Sequence, residues 1–134
     1  MRADTGFMEK VTLTGVPETM LLTLHARAQY SQSHPHLLSD PQAIDMVARL
    51  DYDFSAARSD RAMAAGTAAR TLLFDDLVRD FLAQHPGGTV VNIACGLDTR
   101  FHRVDDGQVR WYDLDLPSVI ELRERLLGRI ERVQ

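Results

Sequence analysis

Along the first two thirds of the chain, apolar residues recur at helical spacing and are interrupted by short polar or proline-bearing stretches. Pro17 and Glu18 open a predicted helix through Leu21, Leu24 and Ala28, since proline suits the first helical turn and an acid suits its positive end. Ser31–Ser39 reads as a loop carrying His34, Pro35 and His36. A second start follows at Ser39-Asp40-Pro41-Gln42, with a cap candidate, proline at the first helical position and a glutamine placed to close a capping box. Ile44, Val47 and Ala48 share one face of that short helix. Tyr52–Asp60 is a connection. Ser59 and Asp60 precede a long alanine-rich helix, with an interruption expected near Gly66, whose second half puts Leu73, Leu77, Val78, Phe81 and Leu82 on one side. Pro86-Gly87-Gly88 stops it. The first ten residues are polar and read as frayed, with Met8 an alternative start.

The pattern changes at Thr89. Val90-Val91-Asn92-Ile93-Ala94 is a short apolar run rich in β-branched residues, which suits a buried parallel strand. It breaks into Cys95-Gly96-Leu97-Asp98-Thr99-Arg100. A second strand, Val109–Asp113, ends in Leu114-Asp115-Leu116-Pro117. Pro117 then begins a helix with Val119, Leu122, Leu126 and Ile130 inward and Glu121 and Arg125 outward as an i,i+4 pair. A βαβ unit is the reading adopted, because long helices on both sides need a sheet face to cover. The competing reading makes Asp105-Asp106-Gly107 the tip of a hairpin between Phe101–Val104 and Val109–Tyr112. The fold class is α/β.

Composition narrows the function classes. The chain has 134 residues, enough for one modest domain, and its 45% hydrophobic and 25% charged residues are ordinary for a globular protein. A net charge of −4, with Lys10 the only lysine, argues against a nucleic-acid partner. The single cysteine, Cys95, rules out an internal disulfide. No apolar run reaches the ~20 residues of a membrane span, and the polar start does not read as a signal peptide, so no membrane association and a cytoplasmic location are expected.

Three features carry the candidate chemistry. Small residues at Ala94-Cys95-Gly96, at the carboxyl end of a strand, let a ligand approach the backbone. This turn lacks the glycines that would cradle a pyrophosphate, which disfavours a nicotinamide-cofactor oxidoreductase. Asp115 follows Gly96 at about the 20-residue spacing at which an acid meets ribose hydroxyls, and Asp113 is a substitute on the same side of the strand. Arg70, on the preceding helix, suits a ligand carboxylate through paired hydrogen bonds. Each has a plainer reading: Asp115 as a helix cap, Arg70 as a solvated helix residue, Cys95 as a small buried thiol. Trp111 and Tyr112 read as sheet packing or as walls flanking an adenine, and His34 and His36 as solvated rather than metal-bound.

At these residues the sequence resembles the leucine carboxyl methyltransferase family, especially the bacterial branch that includes polyketide O-methyltransferases. The resemblance runs from about Val11 to the end. It rests on Val16-Pro17-Glu18-Thr19-Met20-Leu21-Leu22-Thr23-Leu24, on Asp40-Pro41, on Arg70, on the string from Val90 through Gly96-Leu97-Asp98-Thr99-Arg100, and on Asp113-Leu114-Asp115-Leu116-Pro117. It implies an N-terminal helical lid (residues 1–60), followed by the first βαβ part of a class I, Rossmann-like methyltransferase sheet (61–134), truncated before the later strands. It implies S-adenosyl-L-methionine as cofactor, with contacts at Arg70, Ala94, Cys95, Gly96, Asp115 and Leu116. The implied partner is a small-molecule methyl acceptor, and a homodimer covering the incomplete sheet is a candidate assembly. A truncated interaction module without catalysis is the other class of reading. The family usually has glycine where this chain has Ala94. No catalytic residue is assignable, because the acceptor pocket is expected to come from later sequence.

Overall fold

The computed structural model describes residues 17–55 and 60–134. Expectations for the first ten residues, for Met8 and for Ser59 lie outside them. Three helices come first: α1 (Glu18–Ser33), α2 (Pro41–Arg49) and α3 (Arg61–Gln84). β1 (Thr89–Ile93), the short α4 (Arg100–Val104), β2 (Arg110–Leu114) and α5 (Pro117–Leu127) follow. The two strands run parallel in the register Thr89↔Arg110 to Ile93↔Leu114. This excludes the hairpin, because a tight turn can only join antiparallel strands. α4 lies in the crossover. On the other edge of β2, Val133 forms a parallel bridge to Trp111, and Gln134 both donates to Trp111 O (3.0 Å) and accepts from Asp113 N (2.7 Å). The fold is α/β: helices, then a parallel β-α-β unit.

Local chemistry explains the helix starts. Asp40 caps α2, its Oδ1 accepting from Ala43 N at 3.1 Å, and Asp60 caps α3 by accepting from Met63 N at 2.8 Å. With Asp40 as cap, Gln42 falls one position short of the box site, which Ala43 occupies. α1 runs past the expected loop start to Ser33, because its last turn finds side-chain partners: Ser31 Oγ accepts from Asp40 N (2.8 Å) and Ser33 Oγ donates to Gln29 O (3.0 Å). α3 passes Gly66 without a break, so the cost of about 1 kcal/mol for glycine in a helix is absorbed by its 24-residue length. The second strand begins at Arg110, one residue later than the pattern suggests.

Two apolar clusters hold these elements. The larger packs Leu21 and Leu24 of α1, Met46 of α2 and Val119, Leu122 and Leu126 of α5 around Leu97 of the strand-end loop. The second gathers Leu82, Phe101, Val104 and Val109 around Trp111, with Phe101 edge-on to Trp111 at 5.7 Å. Met46 and Ala43 are the buried residues of α2, while Ala48 is exposed and Ile44 and Val47 are half-buried.

Two expectations about apolar faces are corrected. Leu73, Leu77 and Phe81 of α3 are exposed, and the stripe that turns inward is Ala64, Thr67, Ala68, Thr71, Asp75 and Leu82. The inward side carries a charged residue because Asp75 is matched by Arg100 and Arg103, and amphipathicity read from hydropathy cannot register a buried carboxylate with partners. Similarly, β1 is not buried on both faces: Val91 and Ile93 are exposed, the latter at 76%, beside an open groove that runs between α3 and β1.

Two outcomes are expected. Asp75→Ala strips the carboxylate from the buried Arg103 guanidinium and the half-buried Arg100 guanidinium, and should lower stability by about 3–5 kcal/mol, read from urea unfolding. His102 on α4 has a buried Nε2 with no hydrogen-bond partner, and its pKa is lowered by burial, then by Arg123 and Arg103, against the pull of Asp40 and Asp113. The neutral ring is therefore the folded form. Its contribution is complete above the unfolded pKa near 6.5 and is lost as pH falls below it. The urea midpoint should drop more between pH 7.5 and pH 5.5 for the native chain than for His102→Phe.

Candidate functional site

The parallel register puts the carboxyl ends of β1 and β2 side by side, and a cavity of about 400 Å³ opens there. This is the place where open parallel sheets take ligands. One wall is α1, through Thr19, Met20, Thr23 and Arg27. A second is α3, through Thr67, Arg70 and Thr71. The floor is the strand-end loop Ala94–Asp98 with Asp115 and Val119. Thr71 Oγ1 donates to Thr67 O (2.8 Å) and Thr23 Oγ1 to Met20 O (3.1 Å), so these hydroxyls serve their own helices first.

Backbone geometry at the loop is unusual. Ala94 has φ +55° and Gly96 φ +50°. The left-handed region costs an L-residue roughly 1–2 kcal/mol, so Ala94 holds a position that glycine would take without strain. At Gly96 a side chain is excluded on two counts, because an added Cβ would also lie 3.1 Å from Met20 Cγ. The loop is fastened to both strands. Cys95 N donates to Leu114 O (3.2 Å), Asp98 N to Cys95 O (2.9 Å), and Gly96 N to Asp115 Oδ2 (2.8 Å). Asp115 Oδ1 also accepts from Leu116 N at 2.7 Å.

Three successive loop carbonyls accept from arginines. Arg123 of α5 donates to Gly96 O (3.2 Å) and to Asp98 O, and Arg27 of α1 donates to Leu97 O at 2.7 Å. These guanidinium groups belong to a larger buried set. Asp40 Oδ2 accepts from Arg27 (3.3 Å), Arg103 (3.1 Å) and Thr99 Oγ1 (2.7 Å). Arg103 continues to Asp75, Asp75 to Arg100 (3.1 Å), and Arg100 to Asp98 (3.0 Å). Asn92 Nδ2 bridges Asp98 and Asp113, each at 3.1 Å, and Asp113 closes on Arg123 at 3.0 Å. Burial works against the Arg103 charge, but the hydrogen bond and field of Asp75 outweigh it and its pKa is raised. At Arg27 burial wins and the pKa is lowered, with Asp40 and Asp98 opposing.

Four arginines (27, 100, 103, 123) thus meet four aspartates (40, 75, 98, 113), and their formal charges cancel. Of the charged residues lining the cavity, Arg27, Asp98 and Arg100 are spent in this way. Arg70 and Asp115 remain. Arg70 is exposed and makes no hydrogen bond or ion pair among the described residues. Asp115 is half-buried and holds only backbone amides. The cavity therefore offers one uncommitted guanidinium and one carboxylate outside the neutralised set.

Of the residues singled out from sequence, Arg70, Ala94, Cys95, Gly96 and Asp115 line this one cavity. Leu116 does not; it is exposed and stands as the N-cap of α5. Asp113, the substitute acid, is committed to Arg123, Asn92 and Trp111 Nε1 (2.9 Å). Cys95 is buried, and burial first pushes its thiol up to about 11, so it is protonated at neutral pH and a poor nucleophile. Trp111 is packing, in the second cluster. His34 is exposed and stacks on Tyr30 at 4.5 Å, and among the described residues no group of three His, Cys, Asp or Glu side chains is placed to hold a metal ion. Sequence reasoning missed Arg27, Asn92, Asp98 and Arg100 as cavity residues. For Arg27 a signal existed: an arginine between Leu24 and Ala28 on the face that packs inward.

The loop geometry has a direct consequence. Ala94→Gly should stabilise the fold by up to about 1 kcal/mol, the relief of left-handed strain less the added freedom of the unfolded chain. Gly96→Ala should cost about 2 kcal/mol or more, through strain together with the Met20 contact. Paired thermal melts read both, and the two substitutions must shift the midpoint in opposite directions.

The sequence profile of the leucine carboxyl methyltransferase family matches residues 20–133. The tetracenomycin polyketide synthesis O-methyltransferase TcmP of Streptomyces glaucescens is 43% identical over 119 residues, which are 88% of this chain and 44% of that protein. The S-adenosyl-L-methionine-dependent methyltransferase dpfgK of Gibberella zeae is 37% identical over 128 residues, covering 88% of this chain and 43% of its own length. A putative S-adenosyl-L-methionine-dependent methyltransferase of Mycolicibacterium smegmatis is 33% identical over a gapped alignment of 147 positions that covers 96% of this chain and 47% of that one. The chain thus spans less than half the length of these curated relatives. No solved structure matches it. With the profile covering nearly all of the described residues, the chain belongs to the leucine carboxyl methyltransferase family.

Proposed function

We propose that this chain forms the cofactor-binding part of an S-adenosyl-L-methionine-dependent O-methyltransferase, acting on the carboxylate or hydroxyl of a small metabolite of polyketide type. One observation carries the reading: a single cavity at the strand ends is lined together by Arg70, the Ala94–Gly96 turn and Asp115, with every other charge on its walls neutralised. The fit to the cofactor can be judged from the residues. A volume of about 400 Å³ lies in the range of small-molecule sites. Gly96 leaves the backbone open on the cavity side, where a Cβ would close the gap to Met20. The free guanidinium of Arg70 suits the cofactor's carboxylate and Asp115 suits the ribose hydroxyls, which are its two most polar ends.

When bound, the cofactor supplies an electrophilic methyl group that an acceptor oxygen takes. The chain's own part is positional. Arg70 and Asp115 fix the two ends, Ala94, Cys95 and Gly96 form the surface between them, and Met20, Thr19 and Thr23 of α1 wall off solvent. Holding reactants in line accounts for much of the acceleration in such transfers, and a carboxylate acceptor needs no base. On this reading residues 1–60 are the lid region and residues 61–134 begin the cofactor-binding domain, with α1 contributing the lid's inner face. Leu116, exposed beside Asp115, would meet the cofactor only at the cavity rim.

The uncovered apolar surface of β1 and α3 (Leu73, Leu77, Val91, Ile93) favours a second reading, an association module that pairs with another copy. Calorimetry and sedimentation separate the two. S-adenosylhomocysteine should bind where NAD does not. Arg70→Gln should weaken it by about tenfold or more while leaving the melting temperature nearly unchanged; Asp115→Asn should weaken it similarly and also lower the melting temperature, because the amide leaves Gly96 N or Leu116 N without its acceptor. Absence of S-adenosylhomocysteine binding by a chain that sediments as a dimer would overturn the methyltransferase reading in favour of the second.

A further inference from the structure

We infer that the Arg27–Asp40 ion pair is a positioning clamp that fixes the ligand-facing loop from the helical side of the cavity. The proposal rests on the methyltransferase reading for what the loop binds, though not for the clamp itself. Arg27 and Asp40 lie on α1 and at the cap of α2, 13 positions apart, and both are buried, Arg27 at 6% and Asp40 at 0% exposure. Each partner extends a second contact to the same short stretch of loop. Arg27 Nη2 donates to Leu97 O at 2.7 Å, and Asp40 Oδ2 accepts from Thr99 Oγ1 at 2.7 Å. One ion pair therefore grips both ends of Leu97-Asp98-Thr99, across 70 and 59 positions of sequence. Arg123 of α5 holds the neighbouring carbonyls, Gly96 O and Asp98 O.

Because a peptide unit is planar, pinning a carbonyl also pins the N–H of the next residue. Carbonyls 96, 97 and 98 fix the amides of Leu97, Asp98 and Thr99, and with them the wall that follows the Gly96 turn. A purely structural role explains this arrangement poorly. A buried guanidinium must recover a large desolvation cost, and apolar residues of similar volume often serve stability as well or better. Here burial does lower the Arg27 pKa, and Asp40 Oδ2 is shared among three donors. What an apolar replacement cannot supply is a donor for Leu97 O together with an acceptor for Thr99. Arg27 also lines the cavity, so the clamp acts at the edge of the ligand space.

The test is a split between affinity and stability. Arg27→Lys keeps the charge beside Asp40, but a single ammonium cannot span both Asp40 and Leu97 O in the forked geometry of a guanidinium. Asp40→Asn keeps a capping oxygen for Ala43 N and removes the charge. Both variants, and Leu82→Ala in the separate cluster around Trp111 as a stability control, are compared with the native chain by thermal melting, by calorimetry with S-adenosylhomocysteine and by amide hydrogen exchange. Arg27→Lys and Asp40→Asn should each bind S-adenosylhomocysteine at least tenfold more weakly at a temperature where they are folded. They should also exchange the amides of residues 97–99 at least tenfold faster. Leu82→Ala should lose thermal stability without either change. If either folded clamp variant keeps native affinity and native protection at 97–99, the clamp is overturned. If the native chain itself fails to bind S-adenosylhomocysteine, the methyltransferase reading falls instead, and the exchange data still decide the clamp.

Discussion

The structure depends on a buried ionic lattice in which four arginines and four aspartates neutralise one another beneath the strand ends. It reaches nearly every element: Arg27 on α1, Asp40 at the start of α2, Asp75 on α3, Arg103 on α4, Asp113 on β2 and Arg123 on α5. A charge moved from water into protein costs several kcal/mol, and only complete partnering offsets it. The lattice therefore tolerates few relative placements of these elements. The apolar clusters around Leu97 and Trp111 supply the driving force for burial, but dispersion and area burial are not directional. The ion pairs select among the packings those clusters would permit.

A consequence of that neutrality is the sparse electrostatics of the cavity. Were Arg27, Asp98 or Arg100 unpartnered, the site would favour ligands by overall charge. With those groups compensated, the charges left uncommitted on the cavity wall are Arg70 and Asp115, and its shape is set by a glycine that cannot be replaced without meeting Met20. The arrangement also joins the helices to the loop, so that displacement of α1 would release Leu97 O and change the shape of the ligand wall.

Family membership and local structure agree at the parallel β-α-β unit. Among the described residues, Ala94 is the one non-glycine with a positive φ, a strain that a glycine would relieve. The exposed Val91 and Ile93 on β1, with Leu73 and Leu77 on α3, form the other departure from a closed core. They lie beside the free edge of β1, the type of surface that parallel sheets elsewhere keep covered.

The sequence by itself determined much of this. Proline and aspartate at Asp40-Pro41 and at Asp60 announced helix starts, because a cap is a local interaction between neighbours. The β-branched run at Val90–Ile93 announced a strand, and the spacing from Gly96 to Asp115 announced two groups at one strand-end cavity. The tertiary structure decided what locality cannot encode. It chose a parallel crossover over a hairpin, and it turned α3 so that Thr71 and Asp75 face inward while Leu73 and Leu77 face out. It also committed Asp113 to Arg123 while leaving Asp115 at the cavity. Each of these outcomes follows from partners distant in the chain: Arg27 and Leu97, Asp40 and Thr99, Asp75 and Arg103. A hydropathy pattern scores an aspartate as a surface residue, and it becomes a core residue only where folding brings an arginine to meet it.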